Sequence, residues 1–492
     1  MRPGRRREVL RQAIGLLTVL VLAGAVIACG DGVNSGGDAD TDSDADVDTD
    51  ADTDADTDTD ADADTDADAD TDADTDTDSD TGPQCQLDGE LTVREPEAFN
   101  GYTLYAPNRE KTTYLIDICG TVVHSWTGQY QPGHSAYLLE NGNLLHTGNV
   151  GNRDFAQGGS GGIVEEFDWD GRKLWEYRYS SSEVLQHHDV EPLPGGNVLL
   201  IAWESKTYSE SVEAGRNPST LGGGEMWPDH VVEIEPTYPS GGTIVWAWHA
   251  WDHLVQDFDP SKDNHGTVED HPELLDINVG GGGRPGAGID WLHLNGIDYN
   301  AELDQILLSS HNTNEVLVLD HGTTTAEAAR HAGGRQGRGG DILYRWGNPQ
   351  AYGRGNIGDQ QLSGQHDGRW VEPGLPGGGN ITIFNNGIKS RSSSVLEIVP
   401  PVDGNGQYTL AAGSAYGPAA PVWSFSEAGL FAQNISGAHR LPNGNTLICD
   451  GPAGEFVEVT ADKQVVWRFD GSNDVFRATR YAPSYPGLAG RL

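Results

Sequence analysis

Residues 171–200 read GRKLWEYRYSSSEVLQHHDVEPLPGGNVLL. A strand ends on Trp175, a polar loop leads to His187-His188-Asp189, and a tight Gly195-Gly196-Asn197 turn opens the apolar run Val198-Leu199-Leu200. The same order returns from Cys119 to the C-terminus, and a unit repeated in this way decides the architecture before any local assignment. Six strands end on a tryptophan: 120–126 (GTVVHSW), 171–175 (GRKLW), 242–246 (GTIVW), 341–346 (DILYRW), 421–423 (PVW) and 463–467 (KQVVW). The turn-plus-strand partner recurs at 141–145, 195–200, 378–383 and 443–448, with 302–308 as a variant and 404–410 (GNGQYTL) as a poorer sixth. Its Asn-Gly and Gly-Asn pairs supply the positive φ that primed hairpin turns require. A third strand type recurs at 164–167, 231–234, 316–319, 395–398 and 457–459.

Short strands joined by Gly/Asn turns, with one repeated aromatic per unit, predict an all-β fold, a β-propeller of six blades. A two-sheet sandwich needs no recurring tryptophan. The tryptophans are expected to fill the space between neighbouring blades rather than to line a ligand site. They are spaced 44 to 100 residues apart, and the extra length is largely Gly-rich loop, as at 278–288 and 333–340, with a short helix predicted within 323–330. These insertions cluster around blades three to five, and long insertions on a rigid scaffold usually build a binding face.

The N-terminus stands apart from the repeat. Residues 1–11 hold five arginines, 13–28 are apolar, and Val26-Ile27-Ala28-Cys29 closes the stretch. This is the pattern of a secretory signal, and it looks like a bacterial lipobox. The resemblance implies cleavage before Cys29 and lipid on that residue, whose acyl chains would anchor the protein to a membrane. The position after Cys29 is Gly30, not an acid that would retain a lipoprotein at the inner membrane, so the cell envelope, preferably the outer membrane, is the expected location. From Asp38 to Asp80 every even position is Asp, 22 in all, separated by small residues. Such a tract cannot bury a core and is expected to be a disordered, self-repelling spacer. It lacks the turn glycine and closing acid of a calcium loop. The formal charge of −45 therefore overstates the acidity of the folded part. The expected organisation is signal peptide 1–28, lipidated Cys29 and linker 29–84, propeller 85–492. Of the remaining cysteines, Cys85 and Cys119 are expected to pair in an oxidising compartment, and Cys449, inside an apolar strand, reads as a buried thiol. No cysteine has metal spacing, and no basic patch suggests nucleic acid.

Histidine placement is the informative feature. His134 and His188 each lie ten residues ahead of the second strand of their units; His293 and His366 lie 13 and 15 ahead, where the turn is longer. His439 is seven ahead and out of register, with Ser436 in the matching place. Equivalent positions on the inner strands of a propeller converge on the central channel. Three uses compete for such histidines. They hydrogen-bond between blades; they bind a metal, although no His-x-His or helical pair fixes a geometry; or they carry group transfer, with Arg391 orienting an anion. If 187–188 is extended, His187 and His188 point to opposite sides.

Several linked motifs carry a family resemblance: Asp290-Trp291-Leu292-His293-Leu294-Asn295, Asp341 to Tyr352 (DILYRWGNPQAY), Gly364-Gln365-His366-Asp367, Asn385-Asn386-Gly387 followed by Arg391, and 440–448 (RLPNGNTLI). From about Tyr114 to Phe469 the chain resembles the bacterial aryl-sulfate sulfotransferases. The resemblance implies a six-bladed propeller that moves a sulfuryl group from a phenolic sulfate ester to a phenolic acceptor, with no nucleotide donor, cofactor or metal. It matches His293 and His366 to channel histidines that bind sulfate and move protons, Arg391 to a sulfate-orienting arginine, and Asn295 and Asp367 to substrate-binding positions. It implies ping-pong transfer through an N-sulfonated histidine on a later blade, for which His439 is a candidate, with His188 a further catalytic participant; Gly413-Ser414-Ala415-Tyr416 is a further stretch that could take the nucleophile's place, with tyrosine instead of histidine. The competing function is a non-catalytic ligand- or protein-binding propeller on an acidic stalk. A redox propeller with a quinone or metal has no motif of its own.

Overall fold

The computed structural model describes residues 85–222, 224–281, 289–471 and 474–492. The signal peptide, Cys29, the Asp tract and most of the 278–288 loop lie outside these residues. Among the described residues the regular structure is nearly all strand, with two short α-helices, Tyr208–Glu213 and Thr325–Ala328. The second starts at the capping box of Thr324 and Glu327, within the stretch read as helical.

Six antiparallel sheets form the blades. From the axis outward, blade 1 is Val475–Tyr481, Tyr102–Pro107, Thr112–Ile116 and Val122–Thr127. Blade 2 is Pro132–Leu138, Leu144–Asn149, Gly162–Phe167 and Lys173–Arg178; blade 3 is Val184–Pro192, Val198–Glu204, Asp229–Pro236 and Gly242–His249. Blade 4 is Leu294–Asn300, Gln305–Ser310, Glu315–Asp320 and Tyr344–Trp346; blade 5 is His366–Trp370, Ile381–Asn385, Ser394–Ile398 and Trp423–Phe425. Blade 6 is Gly437–Arg440, Thr446–Asp450, Glu455–Val459 and Val465–Asp470, with Leu91–Arg94 added as a fifth, outermost strand. Each inner strand packs on the inner strands of both neighbouring blades, which closes a ring.

The repeat has a physical reading at two places. Each signature tryptophan stands on a fourth strand, and its indole N–H donates to the turn between the third and fourth strands of the next blade. Trp126 reaches Asp168 O at 3.0 Å, Trp175 Gly241 O at 2.7 Å, Trp346 Pro418 O at 2.8 Å and Trp423 Ala461 O at 2.8 Å. Trp246 uses the Thr323 hydroxyl instead, at 3.0 Å, and Trp467 returns to blade 1 at Ile118 O, 2.8 Å. The ring of tryptophans thus staples every blade to the next while burying its rings. Second, the Asn of the first turn donates to a Glu on the third strand of its own blade, at 2.6 Å in Asn143–Glu166, Asn197–Glu233, Asn380–Glu397 and Asn445–Glu458.

Two sequence expectations change. The 404–410 segment is not a blade strand; it lies in the 399–422 insertion with one isolated bridge, Val402 to Tyr408. The missing second strand is Tyr102–Pro107, so the residues ahead of Arg109 belong to the blades. They escape the repeat reading because closure splits blade 1 between the two ends of the chain. The long insertions also divide between the two faces: 205–228, 250–293 and 347–365 join strands on the face where the inner strands begin, and 321–343 and 399–422 leave from the opposite one. Cys85 and Cys119 form a disulfide, and Cys449 is a buried free thiol.

Candidate active site

The inner strands begin with a local break in the ladder. In blade 3 the register against the second strand slips between Leu200 and Ala202, opposite His187-His188-Asp189, and His188 takes φ 51°. Blades 2, 4 and 5 slip in the same region, with positive φ at His134 (92°), His293 (52°) and Asp367 (52°). In blade 6 Ser436 takes φ 88°. Bulges of this kind re-aim a side chain. The left-handed turn at His188 is why it does not face away from His187, as an extended dipeptide would; their Nδ1 atoms are 2.9 Å apart.

The result is an arc of five imidazoles around Phe476 of blade 1. Ring centroids step 5.5 Å from His134 to His188, 4.6 Å to His293, 5.2 Å to His311 and 5.5 Å to His366. Phe476 is 4.9 Å from His134 and 6.3 Å from His366. Each ring is held through Nδ1: His134 by Asn108 Oδ1 (3.1 Å), His188 by His187, His293 by Asp290 Oδ2, His311 by Asn312 Oδ1 (2.9 Å) and His366 by Asn386 Oδ1 (2.8 Å). The amide groups of Asn312 and Asn386 donate to backbone carbonyls, so their oxygens face the rings and Nδ1 carries the proton.

This leaves Nε2. In His366 it accepts the Ile435 N–H at 3.2 Å, so both nitrogens of that ring are engaged. In His134, His188, His293 and His311 it has no hydrogen-bond partner among the described residues. Among the five, His293 alone is backed directly by a carboxylate, and Asp290 is itself fixed by the Trp203 indole at 3.0 Å. His188 is backed at one remove: His187 Nε2 lies 3.0 Å from Asp229 Oδ1, off the hydrogen-bond axis. Burial, and then the neighbouring Asp290, pushes the Asp229 carboxyl well above its usual range. Burial, and then His293, pushes His134 and His311 down to about 4 and His188 well below the ordinary imidazole value. Most of the arc is therefore neutral near neutrality. Gly159 is required beside it: at φ 88° a Cβ there would stand 1.9 Å from the His188 ring.

One residue further along the inner strands, an ion cluster joins the blades. Arg477 of blade 1 crosses to Asp189 of blade 3 (2.7 Å) and Asp367 of blade 5 (3.0 Å) and also meets Tyr137. Asp367 additionally takes Arg369 Nε at 2.7 Å. Burial alone would raise the Asp367 carboxyl, but Arg369 and Arg477 hold it below its usual range. Asp367 is thus committed to buried ion pairs. Asn295 is buried between blades 4 and 5, donating to Gln365 O at 2.8 Å with its Oδ1 unpartnered. His439 lies three residues past Ser436 along its strand, about 10 Å deeper at a strand's rise. It accepts the Arg480 N–H at 3.2 Å, and burial followed by Arg369 pushes it down to about 3. It does not join the arc. Tyr416 packs on Tyr344 and Tyr352 at the outer strand of blade 4. Arg391 sits in the 386–393 loop on the histidine face, exposed, over the Phe431 ring at 5.2 Å, with no carboxylate partner among the described residues.

The family's profile, arylsulfotransferase (ASST), matches residues 92–479. The chain belongs to the arylsulfotransferase family. The match takes in both halves of the composite blade and so extends beyond the region of motif resemblance. An arylsulfotransferase fold is a sulfuryl-transfer scaffold, and its channel mouth here carries the imidazole arc. No curated protein matches the sequence. Solved structures that superpose on it include a protein of unknown function from Bacteroides caccae, 10% identical over 77% of this chain and 98% of that one, TM-score 0.42. A functionally unknown protein from Desulfotomaculum acetoxidans is 9% identical over 78% and 100%, TM-score 0.37. Kuenenia stuttgartiensis hydrazine synthase is 13% identical over 61% and 68%, TM-score 0.34. At these scores the likenesses support no inference.

Asp290 and His311 are the residues that sequence reasoning passed over. Asp290 stood inside a quoted motif without a role. His311 directly follows the second strand of blade 4 and Asn385 ends that of blade 5, and the Asn after each, Asn312 and Asn386, anchors a histidine of the arc.

Proposed function

We propose that this arylsulfotransferase moves a sulfuryl group from an aryl sulfate to a phenol with His293 as the nucleophile. The observation that carries the assignment is its setting: Nδ1 held by the Asp290 carboxylate, Nε2 unengaged, and neutral imidazoles on both sides. A base oriented by a carboxylate is the arrangement that activates a histidine. In the first half-reaction His293 Nε2 forms a bond to sulfur and the sulfur–oxygen bond to the phenol breaks. The phenolate leaves with a proton from His188 Nε2, replaced from His187 Nδ1; a turn of the His187 ring onto the Asp229 carboxyl 3.0 Å away, pushed up by burial, then supplies that proton. In the second half-reaction the acceptor phenol returns a proton along the same path while its oxygen takes the sulfuryl group from His293. Arg391, carried on the histidine face with no carboxylate partner among the described residues, would meet sulfate oxygens as charge develops on them. His366, satisfied at both nitrogens, holds blade 5 to the 432–436 turn.

Release of 4-nitrophenol from 4-nitrophenyl sulfate tests this reading. Release should depend on added phenol and be abolished in His293→Ala. Without acceptor, mass spectrometry should find one sulfuryl group on the His293 peptide. A label on another histidine would overturn the assignment to His293. A folded protein that turns over none of a panel of aryl sulfates would overturn the transfer reading itself. We further propose that the chain is a lipoprotein anchored at Cys29 to the cell envelope, on the sequence pattern alone. Labelled palmitate should enter the wild-type chain and not Cys29→Ala.

A further inference from the structure

Outside the channel, the strand ends of blade 3 bring together a second group of donors. His230 pairs with Ala202 of the second strand on one side and with His249 of the fourth strand on the other. Glu204 lies two residues past Ala202, so by strand alternation its side chain shares the face of His230 and His249. Ligand atoms of Glu204, His230 and His249 all lie within 4.8 Å of one another. The two imidazoles stack at 5.0 Å, and His249 Nδ1 is 3.2 Å from Glu204 Oε1.

The second observation is an orphaned atom. His230 is fully buried; Tyr179 OH engages its Nε2 at 2.9 Å, while Nδ1, with the Ala202 backbone nearby, makes no well-formed hydrogen bond among the described residues. An unpartnered buried polar atom is costly and calls for a ligand. When Nε2–H donates to the Tyr179 oxygen, Nδ1 presents a lone pair. Fixing one nitrogen of a histidine to orient the other is how metal-binding imidazoles are held. His249 is 36% exposed at its side chain, which gives an entry path and freedom to close on an ion. By contrast, His253, His331 and Asp341 also converge, but both nitrogens of His253 are satisfied, by Asp341 and Ala328 O at 2.8 Å each, and no orphan remains.

We propose that Glu204, His230 and His249 form a site for a zinc-class divalent ion, with solvent as the fourth ligand. Two imidazoles and one carboxylate are a donor set suited to that class. The ion would tie the second, third and fourth strands of blade 3 together at the histidine face. Lys206 Nζ, 2.9 Å from Glu204 Oε2, is the charge the ion must displace, and it competes for the site.

The test uses the purified full chain after chelator treatment, titrated with Co²⁺ followed by visible absorption and then displaced with Zn²⁺. One ion should bind with the intense bands of a tetrahedral site. His230→Gln and Glu204→Gln should each weaken binding at least about a hundredfold, Tyr179→Phe about tenfold, and Lys206→Ala should tighten it. Thermal unfolding without metal verifies that each variant folds; should His230→Gln fail, Glu204→Gln and Lys206→Ala carry the test. Binding that survives His230→Gln and Glu204→Gln but is lost in His293→Ala would place the ion in the channel arc and overturn the proposal. So would the absence of saturable binding in the wild type.

Discussion

At the residue scale, His293 is set apart by what stands behind it. Four of the five arc imidazoles lean on neutral partners; His293 leans on a carboxylate. Asp290→Asn keeps the shape and removes the charge, and the amide, turned to satisfy Trp203, no longer fixes the His293 tautomer. On the proposed mechanism the variant should lose about a hundredfold in kcat, with KM for 4-nitrophenyl sulfate little changed, in the phenol-dependent assay. That His293 and His366 stand at the channel mouth was legible from their register ahead of the second strands. What each ring nitrogen bonds was not, because Asn108, Asn386 and the Ile435 amide come from other turns and blades. The facing of His187 and His188 departs from simple alternation for a local reason: alternation holds only for extended backbone, and His188 has φ 51°.

At the scale of elements, the inner strands are joined by charge as well as by packing. Arg477 crosses from blade 1 to blades 3 and 5, and removing it would leave Asp189 and Asp367 short of a buried counter-charge. Breaking such a pair from one side costs about 3–5 kcal/mol. Arg477→Met should therefore lower the urea unfolding free energy by about that amount, and Arg477→Met with Asp189→Asn should recover part of it. The sequence marked the blades through their tryptophans and Asn-Gly turns because those features recur once per blade, each indole meeting the equivalent turn of the next blade. It did not mark Arg477, whose partners lie 288 and 110 residues away. Nor did it mark the composite blade, which the repeat splits between the two ends of the propeller.

At the scale of the molecule, the buried histidines set an acid limit. His134, His146 and His311 are held near 4 in the fold, by burial first in each case, against 6.5 when exposed. Between those values the unfolded chain takes up protons that the fold refuses. Their contribution to stability is complete above about pH 6.5 and is lost as the pH falls toward 4, at about 1.4 kcal/mol per pH unit for each histidine. Asp298, pushed up to about 7 by burial, works the other way across the same range, as do Asp229, Glu191 and Glu315, whose carboxyls burial also pushes up. Between about pH 6.5 and pH 4 the urea midpoint of His146→Gln, a site away from the channel, should therefore fall less, or rise more, than that of the wild type. Phe476, on which the imidazoles pack, and Arg477 both belong to the strand Val475–Tyr481, which pairs with Tyr102–Pro107. Ribosomes make the histidines first and this strand hundreds of residues after its partner. An unfinished chain would thus carry every imidazole of the arc without the ring they surround, and transfer chemistry would begin only once the propeller had been threaded shut.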